Sequence, residues 1–436
     1  MTRLPRFRNT LATSVLPLFG ALALVSDAAH AGGFALYEMS AGSLGNAHAG
    51  GAAVAEDLST IYFNPAGLTR FQGRQFMGAL SAIRPSAEFR NAGSTGAGGA
   101  PLTGGNGGDA GDWAAVPALY YAMDLNPRMR FGIGIQSPFG LKTEYDSDWV
   151  GRYQALKSEL RTININPTIA FKLNDQLSLG AGVSAQYADV EISRAINLGA
   201  LVPGAPDARV TIDGDDWGYG FNLGVMFAPN EHARFGAAYR SRIRHKFSGD
   251  ARYTLPAGLP AAVTANPALT NTGASADLDL PESVSLSGYL DLDRQWSAMA
   301  DVTWMHWSRF KELRVRFNNG APESVTPENF RNTVRVAVGA NYRYNDMLKL
   351  RGGIAYDRSP VRDEFRTPRV PDENRWWLSF GAQYKPSRQG TWEFGFAHLF
   401  VKDARINKSE PPAGGTLVGE YDSDVNILSV QYSHAF

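Results

Sequence analysis

The feature that most constrains this chain is a two-residue alternation kept up over long stretches. At 177–188, Leu177, Leu179, Ala181, Val183, Ala185 and Tyr187 share one parity. Ser178, Gly180, Gly182, Ser184, Gln186 and Ala188 share the other. Successive side chains of a strand point to opposite faces, so such a segment has one greasy face and one small, polar face. Segment 217–228 repeats the pattern, with Trp217, Tyr219, Phe221, Leu223, Val225 and Phe227 against Gly218, Gly220, Asn222 and Gly224. Segment 334–344 sets Val334, Val336, Val338 and Ala340 against Arg335, Ala337, Gly339 and Asn341. A soluble sandwich turns its polar faces to bulk water and charges them. Here the chain is only 19% charged and the second face is largely Gly, Ala and Ser. Strands that meet lipid on one side and a lumen on the other account for this. Beyond residue 31 no stretch approaches the ~18 apolar residues of a helical span.

The connections set the strand count. Six short turns, at 126–128, 174–176, 229–231, 293–295, 345–346 and 386–390, alternate with seven longer stretches, near 86–112, 139–160, 197–215, 254–276, 318–330, 359–373 and 408–422. Thirteen connections join fourteen strands, an even number as a closed antiparallel bacterial barrel requires. The outward residue beside each short turn is aromatic (Phe131, Phe171, Phe227, Trp296, Tyr344, Tyr384, Trp392), which marks one membrane–water boundary. The chain ends on an alternating strand closed by Phe436, and this terminus resembles what outer-membrane proteins present to the barrel-assembly machinery. The expectation is an all-β chain whose residues 72–436 form a 14-stranded antiparallel transmembrane β-barrel in the bacterial outer membrane.

Two segments precede the barrel. Residues 1–31 read as a cleaved export signal: Arg3, Arg6 and Arg8, then an apolar run from Leu11 to Val25, then Ala29-His30-Ala31 as the cleavage site. The absence of cysteine suits a chain that crosses an oxidising periplasm unfolded. Residues 32–71 do not alternate. They carry Phe34, Leu36, Leu44, Ile61, Phe63 and Leu68, which must be buried, and the barrel lumen is the place for them. Two short helices are expected, around residues 41–48 and 58–63, the second capped by Asp57, and Asn64-Pro65 reads as a turn or helix entry. Val116, Ala118 and Tyr120 should meet this plug, and the small lumen-facing residues should make room for it.

Gly32-Gly33-Phe34-Ala35-Leu36-Tyr37-Glu38, Leu44-Gly45-Asn46-Ala47-His48-Ala49-Gly50, Ala55-Glu56-Asp57 and Asn64-Pro65-Ala66-Gly67-Leu68 resemble the N-terminal hatch of the FadL family. Residues 138–145, 149–153 and 162–167 are similar to that family too. The resemblance covers the whole mature chain. It implies an outer-membrane transporter for long-chain fatty acids and other hydrophobic compounds, working as a monomer without a cofactor. It also implies a route: capture among extracellular loops, an internal pocket gated by the N-terminus, and lateral exit into membrane lipid at a kink in the third strand.

The chain supplies residues for each step. Gly32, Phe34, Leu36, Asn64, Pro65 and Ala66 are the hatch or gate candidates. Gly132, Gly134 and Pro138 are the kink candidates, because glycine permits a bulge and proline cannot donate to a strand ladder. Trp149, Val150, Tyr153 and Leu156 fall at helical spacing within 149–160 and are candidates for capture, or else pack against neighbouring loops. A buried carboxylate needs a cation, and arginine offers a bidentate fork. Among the arginines of lumen parity (Arg234, Arg240, Arg242, Arg244, Arg335, Arg343, Arg351), Arg240 and Arg335 fall nearest mid-barrel. If the lumen arginines lack carboxylate partners, the pocket favours anions; if neutralised, neutral hydrocarbons become more credible.

Two alternatives keep the barrel: uptake of aromatic hydrocarbons by the same route, and a general porin with an open, charged lumen. A net charge of +0 gives no case for nucleic acid. The seven histidines are scattered, and neither a Ser/His/Asp set nor a metal cluster is legible, so no catalytic residue, no metal and no cofactor is assigned.

Overall fold

The alternating segments are strands in a computed structural model of the chain, which describes residues 32–96, 98–200, 202–410 and 414–436. The expected export signal at 1–31 lies outside the described residues. Twenty strand segments form one antiparallel sheet, closed where Gln75–Asn91 pairs with Gly415–Ala435, from Gln75↔Ala435 to Asn91↔Gly419. Six spanning strands are interrupted near their outer ends, so the twenty segments amount to the fourteen spans counted from the turns. Closure leaves no strand edge to be satisfied in lipid.

Parity decides the faces as expected. Val183, Tyr219, Phe221, Val302, Val336 and Phe380 stand exposed on the outside, while Ser184, Gln186, Asn222, Asp301, Arg335 and Ser379 are buried inside. Phe227, Trp296, Tyr344, Tyr384 and Trp392 face outward beside the short turns, and the Trp296–Tyr342 and Trp392–Tyr432 ring centroids are each 4.8 Å apart. The strands run further outward than expected. Ala208–Phe227 takes in residues 208–215 of the connection placed at 197–215.

Residues 32–71 lie inside this wall, and the lumen glycines are their seats. A Cβ on Gly236 would stand 1.8 Å from the Ala52 carbonyl oxygen, one on Gly224 1.9 Å from Asn64 Oδ1, and one on Gly180 2.3 Å from the Ala66 nitrogen. Only glycine allows the hatch backbone so close to the wall. Val116, Ala118 and Tyr120 are buried toward the hatch, and the Tyr120 hydroxyl donates to the Met39 carbonyl at 3.2 Å. The two hatch helices are shorter than expected, Ala41–Leu44 and Thr60–Phe63. Ser40 caps the first, whereas Asp57 does not cap the second. Its carboxylate instead accepts the Ser59 N–H, one residue ahead of the helix. Asn64 and Pro65 open a 3-10 helix, Pro65–Arg70, with Asn64 Oδ1 accepting the Ala66 N–H at 3.1 Å. The general-porin alternative needs a lumen that this segment fills.

Candidate functional site

Two cavities lie along the barrel axis, divided by the hatch residues 34–37. The outer one is walled by the strands where they rise toward the extracellular side. Its lining is greasy, with Leu141, Val190, Ile212, Phe247, Leu278 and Phe310, and Phe34 lies against it. Phe34 is wedged edge-on to Trp307 at 4.6 Å and to Phe310 at 5.9 Å, which fixes the partition. Five ionisable groups interrupt the apolar lining: Glu159, Asp213 and Asp277, which are ion-paired to Lys157, Arg252 and Arg316, and Glu328 and Arg369. Arg369 donates to the Gln154 carbonyl at 2.8 Å and to Ser158 Oγ at 3.0 Å, and it has no ion pair among the described residues. Burial lowers it to about 10, so it stays cationic at neutral pH. Burial pushes Glu328 up to about 8, so it is a neutral acid there, and the carboxylate that acts most on Arg369 is Glu410, which forms no ion pair with it among the described residues.

The inner cavity brings together the two arginines singled out by sequence, with Leu36, Tyr37, Tyr62 and Met305 around them. Arg240 donates to the Tyr62 carbonyl at 2.9 Å and to Asn166 Oδ1 at 3.3 Å, and stacks on the Tyr62 ring at 4.0 Å. Arg335 donates to the Ala47 carbonyl at 2.5 Å and lies over the Tyr37 and Trp377 rings, at 4.8 and 5.1 Å. Neither is ion-paired among the described residues. The one carboxylate in the lining, Asp301, accepts from the Ser287 and Thr303 hydroxyls at 2.6 and 2.9 Å. Of the other arginines counted to lumen parity, Arg351 pairs with Glu56 at 3.0 Å and Glu393 at 2.5 Å, and Arg234 donates to Ala53 and stacks on Tyr289. Arg242 and Arg244 turn outward instead, because the strand is broken at 241–242 and its buried parity switches there; Arg244 pairs with Asp279 at 2.9 Å.

The third spanning strand is broken into Met129–Gln136 and Gly140–Glu144. Its pairing with the second strand, Ala114–Asn126, ends at Leu119↔Ile135. The outer piece pairs only with Lys157–Lys172, on the other side. Among the described residues no backbone hydrogen bond then joins the second and third strands until Glu144 donates to Ala110, at 3.0 Å. Pro138 stands at this seam, but Gly132 and Gly134 act differently from expectation. The ladder is regular at both, with no bulge. A Cβ on Gly132 would meet Ile61 and Leu68 of the hatch at 2.8 Å, so this glycine seats the plug; one on Gly134 would meet the Tyr120 ring of the neighbouring wall strand at 2.9 Å, so that glycine makes room for the ring. Beside the seam, the buried amides of Gln136 and Asn164 find no hydrogen-bond partner among the described residues. The hatch covers the break: Ala35 pairs with Phe139, Leu36 N–H donates to Pro138 at 2.9 Å, and Gly140 N–H donates to Phe34 at 2.9 Å.

Comparison with known proteins settles the ancestry. The family model for the outer membrane protein transport proteins (OMPP1/FadL/TodX) matches residues 22–436. The chain belongs to this family. It is 30% identical over 447 residues to the long-chain fatty acid transport protein of Escherichia coli O6:H1, covering 95% of this chain and 97% of that one. Its fold superposes on the crystal structure of a Pseudomonas aeruginosa FadL homologue with a TM-score of 0.87, at 28% identity over 93% of this chain and all of that one. The Ralstonia pickettii toluene transporter TbuX shares the fold, with a TM-score of 0.66 at 20% identity over 92% of this chain and 99% of that one. The protein is thus an outer-membrane β-barrel transporter of hydrophobic compounds.

Two features of this FadL-family member depart from the sequence reading. Trp149, Val150, Tyr153 and Leu156 do not lie on a helix; residues 147–154 are turns. All four are buried, Trp149 stacking on Tyr145 at 4.0 Å with its indole N–H donating to Ala155 at 2.8 Å. They form the core of an extracellular cap with Phe89 and Tyr421 and offer no open apolar surface, the outcome of packing on neighbouring loops. Arg369 and Glu328 went unnoticed, because neither falls on an alternating segment and nothing in a loop sequence says which residues turn inward.

Proposed function

We propose that this transporter takes up long-chain fatty acids by passive diffusion through the two cavities. The observation that carries the reading is charge: Arg369, Arg240 and Arg335 line the two cavities without an ion-paired carboxylate. A neutral hydrocarbon would have no use for three desolvated guanidinium groups, whereas a carboxylate on a long apolar tail complements them. The similarity to a long-chain fatty acid transport protein over nearly the full chain supports the same reading.

In this scheme the tail fills the outer cleft and the carboxylate meets Arg369. Displacement of the hatch segment 34–37 opens the way to Arg240 and Arg335. A carboxylate arriving at Arg335 competes with the Ala47 carbonyl, which belongs to a left-handed turn (φ 50° at Ala47, 55° at His48). Such turns persist only while surrounding contacts hold them, so losing that contact loosens the hatch. The tail then leaves through the seam between the second and third strands into lipid, where little backbone pairing has to break.

The test is displacement of a fluorescent long-chain fatty acid from the purified protein. Oleate should displace it and toluene should not. Arg369→Gln should weaken oleate roughly tenfold or more, the scale of a lost buried ion pair. Displacement by toluene, or an Arg369→Gln variant that binds oleate normally, would move the assignment to aromatic hydrocarbons.

A further inference from the structure

Alternation on the strand Lys157–Lys172 places Thr162, Asn164, Asn166 and Thr168 in one buried polar column. The column passes from the seam toward the inner cavity. Beside the seam the Thr162 hydroxyl donates to the Phe139 carbonyl at 2.6 Å and accepts the Phe139 N–H at 3.1 Å. Beside the cavity the Asn166 amide donates to the Val183 carbonyl at 2.7 Å and to Asn222 Oδ1 at 2.9 Å, and accepts from Arg240 at 3.3 Å.

Asn164 stands between these two satisfied residues. Among the described residues, both polar atoms of its amide lack a partner. Its register partner on the third spanning strand is Gln136, whose amide lacks one as well. Asn164 is 0% exposed and Gln136 1%. Gln136 is also the first residue beyond Leu119↔Ile135, the last pair that joins the third strand to the second. Four buried amide atoms without partners, gathered on one cross-strand pair, are a costly arrangement that protein interiors seldom keep. Side chains that make no hydrogen bond add nothing to the wall as it stands. They suit a polar group in passage.

Their chemistry says which group. A carboxamide holds an N–H donor and a C=O acceptor side by side. An uncharged carboxyl group is its complement, accepting at the carbonyl and donating from the hydroxyl in two parallel hydrogen bonds. A carboxylate uses only the donor half. The lipid beyond the seam makes the same choice, since an ionised carboxylate in hydrocarbon costs far more than the acid.

We propose that Gln136 and Asn164 form an exit station that binds the uncharged carboxyl head group of the ligand on its way from Arg240 to lipid. This rests on the fatty-acid uptake and the seam exit proposed above. Asn166, which Arg240 touches, and Asn164 are two residues apart on one strand, so the head group moves about 7 Å between them. As it gives up Arg240 the carboxylate takes one proton from water, an uptake that desolvation favours, and the guanidinium keeps its own protons. The arginine thus receives the anion and the amides pass on the acid.

The experiment uses the purified protein in lipid nanodiscs whose lipid carries a quencher. A fluorescent long-chain fatty acid is bound first, and its arrival in lipid is read as loss of fluorescence with time. The double variant Gln136→Met, Asn164→Leu keeps the side-chain sizes and removes both amides. It is expected to bind the fatty acid as the wild type does, and to unfold at the same or a higher temperature because it sheds unpaired polar groups. Its transfer to lipid should be roughly tenfold slower, the scale of two neutral hydrogen bonds. A long-chain alkyl sulfonate with the same fluorophore, whose charge is fixed, should bind but transfer slowly in both proteins. Equal fatty-acid transfer in both proteins, or sulfonate transfer as fast as that of the acid, overturns the exit station and leaves the fatty-acid reading standing. A lower unfolding temperature in the double variant also overturns it, by making the amides part of the wall's own support. If the double variant does not assemble, each single variant is read in the same way. No fatty-acid binding by the wild type sinks the uptake reading and the exit station together.

Discussion

Ala35 of the hatch and Phe139 of the barrel wall form an antiparallel bridge at the point where the third spanning strand is broken. The flanking hydrogen bonds, Leu36 N–H to Pro138 and Gly140 N–H to Phe34, make it a non-hydrogen-bonded pair, the kind with the closest Cα atoms. The hatch is therefore stitched to the wall at the proposed exit, and moving one moves the other.

That stitch can be locked. The chain has no cysteine, so Ala35→Cys with Phe139→Cys introduces the only pair, at a spacing that suits a disulfide. The oxidised double variant is expected to lose most fatty-acid uptake and to regain it on reduction, measured as uptake of a radiolabelled fatty acid by cells. Unchanged uptake with the disulfide formed would show that the hatch need not leave Phe139.

The outer cleft should respond to pH through Glu328. Its folded value, about 8, stands above the ordinary 4.5. As pH rises through 8 the new carboxylate competes for Arg369. Affinity for a long-chain alkyl sulfonate, whose own charge is fixed, is expected to fall between pH 7 and 9, and Glu328→Gln should abolish the fall. Stability has the same sign: the folded state holds this proton more tightly, so from pH 4.5 to 8 the wild type loses stability as pH rises, relative to the Gln variant. A flat binding profile in the wild type would remove Glu328 from the site.

Seating of the plug can be tested by conductance. Asn64 caps the 3-10 helix and donates to the Ala52 and Val225 carbonyls at 2.6 and 2.9 Å, so Asn64→Ala should cost the hatch about 1–3 kcal/mol. Gly236→Ala would drive a methyl into the Ala52 carbonyl. Both variants are expected to show larger or more frequent openings in planar bilayers than the wild type. Wild-type conductance in both would mean that the hatch holds elsewhere.

The extracellular cap has its own core. Trp149→Ala removes a fully buried ring that packs on Tyr145 and Phe89, and is expected to destabilise the cap by about 3–5 kcal/mol. Proteolysis within residues 145–156 should then appear while the barrel keeps its heat-modifiable mobility. Resistance equal to wild type would contradict a cap held by Trp149.

The sequence by itself determined the wall. Lipid and lumen impose opposite chemistry on alternate residues, so strand count, facing, the aromatic boundary and the place of the N-terminal segment were all written in parity and turn residues. Arg240 and Arg335 were legible for the same reason, lying on regular strands whose inward face can be counted. Tertiary structure decided what parity does not carry. The purpose of Gly132 and Gly134 depended on Ile61, Leu68 and Tyr120 arriving from elsewhere in the chain. The burial of Trp149 depended on long loops folding over one another. The placing of Arg369 and Glu328 in one cleft brings together residues far apart in sequence, because closing a barrel sets neighbours by circumference and height, and neither is a distance along the chain.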